Sequence, residues 1–203
     1  MSITKEEISK GYDVIADKIH HGLDKKFYKR VVTMQSSYFG KILDVGCGGG
    51  DLIKTIHKIS KPDTKFFGLD ISKKLCQIAK ENNPEAEIVQ GDAENLPYKD
   101  NTFDFVFMTE ALEHMLDYKR AVAEVSRVLK PQGVFIVTVP NRDWLQYDFY
   151  KPFMDKHIFE RIKYLRERGM KSSFYSNGVL LNEKMREKIL ENPPDLIRFS
   201  VDG

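Results

Sequence analysis

The residues Lys41-Ile-Leu-Asp-Val-Gly-Cys-Gly-Gly-Gly50 and Phe66-Phe-Gly-Leu-Asp70 combine an apolar run, a glycine turn and two carboxylates, the parts needed to hold a nucleoside-bearing cofactor. Glycines at 46, 48 and 50 let backbone N–H groups approach a ligand with no side chain between. Asp70 follows Gly48 by 22 residues, which suits a carboxylate at the end of a second strand accepting both ribose hydroxyls. A dinucleotide would also fit a glycine turn, but two residues argue against it. Asp51 stands where such a site needs a small residue beside the pyrophosphate, and Asp44 adds a second negative charge. Two like charges beside a diphosphate cost roughly 1–2 kcal/mol at partly screened distances. A cofactor with an amino group and a sulfonium centre, such as S-adenosylmethionine, is attracted by the same charges.

The elements around these residues alternate. Thr4-Lys-Glu-Glu7 predicts a capping box opening an N-terminal helix, and a second, basic helix is expected from about Asp24 to Tyr38. Then come strand 41–45, helix 51–60, strand 65–70, helix 72–82, strand 86–90, strand 103–109, helix 117–130 and strand 133–139. In the last helix Ala121, Val122, Val125, Val128 and Leu129 recur at helical spacing, with Pro131 and Gly133 expected to end it. The pattern predicts an α/β, doubly wound parallel sheet with helices on both faces, whose ligands sit beyond the carboxyl ends of the strands.

Several ordered motifs carry a resemblance: Ile42-Leu-Asp-Val-Gly-Cys-Gly-Gly-Gly50, Gly68-Leu-Asp-Ile71, Gln90-Gly-Asp-Ala93 with Leu96-Pro97, Phe103-Asp-Phe-Val-Phe107, Leu112-Glu-His114 and Arg127-Val-Leu-Lys-Pro-Gln-Gly133. Over about residues 10–140 the chain resembles the class I S-adenosylmethionine-dependent methyltransferases, in particular the ubiquinone and menaquinone C-methyltransferase group. The resemblance implies a Rossmann-like core of strand order 3-2-1-4-5 and S-adenosylmethionine as cofactor, with S-adenosylhomocysteine as product. It also implies roles. Asp44 would hold the methionine amino group, directly or through water, with the backbone of Gly46, Cys47 and Gly48 lining the methionyl and ribose parts. Asp70 would take the ribose, Ile71 the adenine face, Asp92 the exocyclic amine and the Ala93 N–H a ring nitrogen. Thr109 would face the methionyl group through its backbone.

Local roles compete with these. Asp92 in Gly91-Asp92 also reads as a turn residue, Asp70 as a cap for the next helix, and Cys47 as a filler of a tight loop rather than a reactive thiol. Asp104 reads as a structural start to its strand, at the end away from the ligand. Methyl transfer from a sulfonium needs in-line geometry and exclusion of water more than it needs acid–base chemistry. Glu110, Glu113 and His114 follow the fourth strand. His114 is expected to serve as an optional base, with capping or packing of the short helix there as the competing role.

After about Asn141 the chain departs from the family. A helix at 157–169, a strand at 172–175, a turn at 176–178, a helix from 181 to 191 and a strand at 196–200 read as a β-α-β unit with parallel strands, where the family has an antiparallel pair. From about Lys151 to Gly203, Lys163-Tyr-Leu-Arg-Glu-Arg-Gly169, Tyr175-Ser-Asn-Gly178 and Arg198-Phe-Ser-Val-Asp-Gly203 resemble an interior piece of a radical S-adenosylmethionine enzyme barrel. Such enzymes use a three-cysteine cluster motif. This chain has two cysteines, Cys47 and Cys76, so no iron–sulfur cluster is expected. The expected organisation is a methyltransferase domain at 1–141 and a truncated βαβ segment at 142–203. Strand five would be an apolar open edge, and the tail or a second copy, making a homo-oligomer, is expected to cover it.

Composition narrows the partners. With 203 residues, 41% hydrophobic, the chain can bury a core, and a net charge of +2 leaves no footprint for nucleic acid. No leader, membrane span, CxxC pair or metal-ligand spacing is read, so a cytoplasmic protein with no metal is expected. The expected function is methyl transfer to a small-molecule acceptor. A catalytically silent cofactor-binding or interaction module is the alternative, and an NAD-dependent oxidoreductase the third reading, disfavoured by Asp44 and Asp51. Tyr12, Phe27, Tyr28, Trp144, Tyr147 and Phe149 read as core or tail packing, with an aromatic acceptor pocket as the competing role.

Overall fold

The computed structural model describes residues 4–19, 25–138, 173–176 and 196–199. Chain contacts divide it into two compact units, Met1–Thr138 and Val139–Gly203. The first begins with α1 (Lys5–Ile19) and α2 (Lys25–Val32). It continues through β1 (Lys41–Val45), α3 (Asp51–His57), β2 (Lys65–Asp70), α4 (Lys73–Asn82), β3 (Glu87–Gln90), β4 (Phe103–Thr109), α5 (Tyr118–Val128) and β5 (Leu129–Thr138). The strands form one parallel sheet of order β3-β2-β1-β4-β5, as the alternation predicts.

β1 lies in the middle, pairing Ile42 with Phe66 on one side and Phe105 on the other, and Ile42 to Val45 are all buried, so side chains on both faces are covered. That is why it reads as an unbroken apolar run. Tyr38, Ile42, Leu52, Ile53, Ile56 and Phe107 fill the core around it, each at most 1% exposed. Burying one such large side chain contributes about 1.5–3 kcal/mol. The capping box forms: the Thr4 N–H donates to Glu7 Oε2 (2.8 Å) and the Glu7 N–H to Thr4 Oγ1 (3.3 Å).

Several boundaries differ from expectation, among them the end of α3, which stops at His57 rather than at residue 60. α2 ends at Val32 rather than near Tyr38 because Tyr38 is drawn into the core, where its hydroxyl donates to the Val32 carbonyl (2.9 Å) and its backbone bridges to Ser60. A helix continued to 38 would forfeit that burial. α5 ends at Val128, where Pro131 and Gly133 suggested a later stop. The Asn101 and Thr102 N–H groups take the Arg127 and Val128 carbonyls (3.0 and 2.7 Å), and Leu129 pairs with Phe103. β5 therefore starts four residues early, with an irregularity in register between Phe103 and Phe105.

Asp104 ties the amino ends of three strands. It accepts from the Lys41 N–H (2.8 Å) and from Lys130 Nζ (2.9 Å), which is the structural role read for it. Arg127 secures the loop after β3 by donating to the Leu96 and Tyr98 carbonyls (3.0 and 2.8 Å) and to Asp100 (2.8 Å), while Glu124 holds its guanidinium.

In the second unit β6 (Ser173–Ser176) and β7 (Leu196–Phe199) pair with each other in parallel, Ser173 opposite Leu196. Parallel neighbours need a crossover between them, in keeping with the β-α-β reading. The two helices expected there, and the turn between 176 and 178, fall mostly or wholly outside the described residues. Among the described residues β5 pairs with β4 alone.

Candidate cofactor site

The glycine turn is pinned from both sides. The Gly46 and Cys47 N–H groups donate to the Leu69 carbonyl (2.7 and 3.0 Å), and the Gly48 N–H donates to Asp70 Oδ2 (2.9 Å). Behind the turn, Asn82 at the end of α4 and Asn83, which caps it, donate to the Gly49 and Gly50 carbonyls (2.9 and 3.1 Å). These asparagines carry no motif, and their role comes from the way α4 packs.

Two glycines of the turn have different reasons to be glycine. Gly50 has φ +81, and a Cβ there would lie 2.3 Å from Asn83 Nδ2. Gly48 has φ +51, and a Cβ there would point into open space. Gly50→Ala is expected to cost stability, about 2–3 kcal/mol from the left-handed backbone and the clash, read as a lowered Tm. Gly48→Ala pays only the backbone term, about 1 kcal/mol, yet is expected to weaken nucleoside binding at least tenfold by calorimetry.

Asp44 and Asp70 lie at the ends of β1 and β2, 1% and 7% exposed. Asp44 Oδ1 is buried with no hydrogen-bond partner among the described residues. Burial, and then the charge of Asp70, push its pKa up to about 8. Asp70 is also raised by burial, opposed by N–H donors: the Ser72 N–H reaches its Oδ1 (2.9 Å) and the Gly48 N–H its Oδ2. Its local role at the start of α4 and its place beside the glycine turn therefore coexist. A carboxylate offers about four lone-pair sites, and here the Ser72, Gly48 and Ile71 N–H groups draw on them. Cys47 joins the core at 7% exposure, its thiol pushed well up by burial and by the two aspartates, so it fills the loop and is not a poised nucleophile.

The other candidates flank this centre. The Ile71 carbonyl accepts from Ser9 Oγ of α1 (2.9 Å) and from Gln90 (3.1 Å). Asp92 follows β3 and makes a local turn, its Oδ1 accepting from the Glu94 N–H (2.9 Å), while its Oδ2 is held by the Lys5 ammonium. Ala93 is buried beside it. Thr109 closes β4 opposite Thr138 and is 8% exposed. Glu110 has φ +50, an unusual backbone for a glutamate. Its N–H donates to Thr138 (3.1 Å to the carbonyl), and burial pushes its pKa up to about 6 against the Thr138 hydrogen bond.

His114 ends a 3₁₀ turn at Leu112–His114, part-exposed, with the Tyr12 ring edge-on at 5.7 Å and Glu113 Oε1 3.7 Å from its Nε2. Of the aromatic residues read as packing, Phe27 and Tyr28 lie against the core. Trp144, Tyr147 and Phe149 fall outside the described residues. Asp51 begins the seven-residue α3, so its carboxylate already sits where a pyrophosphate would need the helix end. Among the described residues no three His, Cys, Asp or Glu side chains converge as metal ligands, and no helix is long and apolar enough to cross a membrane.

Sequence reasoning missed what α1 does. It lies along the start of α4 and the loop after β3: Asp13 accepts from Ser72 Oγ and from the Lys74 N–H (3.1 Å), and Lys5 bridges Asp92 and Glu94. No short motif could reveal contacts that join residues about sixty to ninety positions apart.

Residues 43–137 match the family described as a methyltransferase domain. The demethylmenaquinone methyltransferase of Staphylococcus carnosus is 36% identical over 135 residues, which make up 64% of this chain and 56% of that protein. By these matches and by its parallel sheet order, the first unit is similar to a methyltransferase domain. A solved S-adenosylmethionine-dependent methyltransferase from Methanococcus maripaludis, its function assigned without proof, has the same fold as this domain, with TM-score 0.61 and 25% identity. It covers 85% of this chain and 90% of its own. The cyclase SpnF is similar at TM-score 0.60 and 25% identity, covering 68% of this chain and 61% of its own, so the fold of this unit also occurs in a protein named for another reaction. The chain spans 56% of the length of the curated relative from Staphylococcus carnosus. The family match ends at residue 137 and lends no support to the likeness of residues 151–203 to a radical-enzyme barrel.

Proposed function

We propose that this chain binds S-adenosylmethionine in the first unit and transfers its methyl group to a small-molecule acceptor. The observation that carries the reading is Asp44: a buried carboxyl with an unpartnered oxygen, next to a glycine turn with open space at Gly48. A buried polar atom left unsatisfied costs about 1–3 kcal/mol, and a ligand ammonium there removes the cost. Asp70 takes the ribose hydroxyls, Asp92 accepts the adenine amine, Ile71 and Ala93 flank the base, and Gly46, Cys47 and Gly48 supply backbone. The cofactor brings an activated methyl group on a sulfonium. What the chain supplies is position, through Thr109 and the glycine turn, and a dry site.

The acceptor then belongs over β4 and β5, because the adenosine side is taken up by β2 and β3. His114 is an optional base in this account. A positioned general base contributes about 10²–10⁴-fold, so His114→Ala is expected to lower kcat by less than tenfold with cofactor affinity unchanged. A loss beyond a hundredfold would make it the base.

Transfer itself is tested by incubating the chain with S-adenosylmethionine and a panel led by reduced demethylmenaquinone, the substrate in the name of the Staphylococcus relative, and measuring S-adenosylhomocysteine. Acceptor-dependent product supports the proposal. Cofactor binding without product from any of the acceptors supports the silent module, which the end of the family match at residue 137 favours as the second reading. For the rest of the chain we propose a boundary near Asn141, with a second copy covering the β5 edge. A monomeric, folded protein truncated after Asn141 would overturn the second-copy proposal.

A further inference from the structure

The ammonium of Lys5 sits between two carboxylates at the adenine end of the site. It holds Asp92 Oδ2 and lies 2.6 Å from Glu94 Oε2. Both partners are fixed. Asp92 Oδ1 is engaged by the Glu94 N–H (2.9 Å). Glu94 is 5% exposed, its Oε1 accepts from the Asp117 N–H at the start of α5 (2.9 Å), and its carbonyl accepts from Arg120 Nε (2.8 Å). Lys5 is fixed more loosely, at the first turn of α1, and the helix is anchored further along by Ser9 on Ile71 and Asp13 on Ser72.

We propose that Lys5 determines cofactor affinity by competing with the adenine amine for Asp92, with Glu94 as the second berth to which its ammonium withdraws. The proposal rests on the reading of Asp92 as the amine acceptor. A second N–H donor brought to the same carboxylate oxygen meets the repulsion of the ammonium already there, so the amine is held more strongly when Lys5 withdraws. Glu94 makes withdrawal cheap, because the ammonium gives up one carboxylate and keeps a more buried one, and α1 stays anchored through Ser9 and Asp13. The exchange is electrostatic and partly exposed, so it is screened by salt.

Calorimetric titration of the full chain with S-adenosylhomocysteine, which carries no sulfonium charge, tests this. Lys5→Met is expected to tighten binding about two- to fivefold, the range of a part-exposed ion pair. Glu94→Gln keeps the acceptor for Asp117 but weakens the second berth, and is expected to loosen binding by a similar factor. Raising salt from about 0.05 to 0.5 M is expected to tighten binding by the unaltered chain and to leave Lys5→Met flat. Opposite signs for the two variants distinguish competition from a general loosening of α1, which would move both the same way and overturn the proposal. Unchanged or weaker binding by Lys5→Met also overturns it while leaving the cofactor reading intact. No binding by any of the three proteins overturns the cofactor reading, and this proposal with it.

Discussion

Asp70→Ala is expected to lower S-adenosylmethionine affinity by about 10²–10⁴-fold, below detection in an ordinary titration. The estimate follows from lone pairs. Asp70 accepts from the Gly48 and Ser72 N–H groups, with the Ile71 N–H a lesser third donor, and in this account it also takes both ribose hydroxyls. Hydrogen bonds to a charged group are worth about 1.5–3 kcal/mol each, and alanine removes both. It also frees the Gly48 N–H, so the glycine turn loses a hold on its ligand side. The fold is expected to survive, because Leu69, Asn82 and Asn83 still grip the turn. Calorimetry beside a thermal melt checks the pair of outcomes. A folded Asp70→Ala protein that keeps a tenth of the original affinity would remove the residue from the site.

Asp44→Asn is expected to raise stability and abolish cofactor binding together. In the ligand-free protein burial, then Asp70, raise the Asp44 carboxyl to about 8, from an unfolded value near 4. The folded state therefore holds a proton that the unfolded state releases between those values. Stability is fully present below about pH 4 and is lost as pH rises toward 8, at about 1.4 kcal/mol per unit. The full loss is on the order of 5 kcal/mol as an upper bound. Asparagine has nothing to ionise, so the variant's melting temperature should exceed the parent's increasingly from pH 5 to pH 8.5. Binding moves the other way, because an amide gives a ligand ammonium no counter-charge. A residue that destabilises the empty fold while serving the ligand is the usual stability–function trade-off. Equal melting temperatures across that range would mean that Asp44 is not a buried acid.

The features legible in the sequence were those set by neighbours in the chain. β1, the glycine turn, β2 and β4 followed from apolar runs and glycine spacing, and the start of α1 from Thr4 and Glu7. Asp44, Asp92 and Thr109 come from the family resemblance and Asp70 from its spacing after Gly48, and each ends or follows a strand of the sheet. What stayed hidden depends on distant partners. α2 stops for Tyr38, whose pull inward comes from Phe105 and Phe107 on β4. α5 stops early because residues 101 and 102 claim its last carbonyls. Lys5, Asn82, Asn83 and Glu94 look like ordinary surface residues until the fold brings their partners to them. Glu110 shows the same limit from another side: its acidity and position after β4 were visible, but its positive φ was not.

The most direct test of the account is a calorimetric titration of the full chain with S-adenosylmethionine near pH 6.5, repeated in two buffers of different ionisation enthalpy. Asp44 begins largely protonated at that pH and must release its proton to meet the ligand ammonium. The account predicts one molecule bound per chain with release of close to one proton, and release that fades above about pH 8. A folded chain that binds no S-adenosylmethionine, or binds it without releasing a proton, would contradict it.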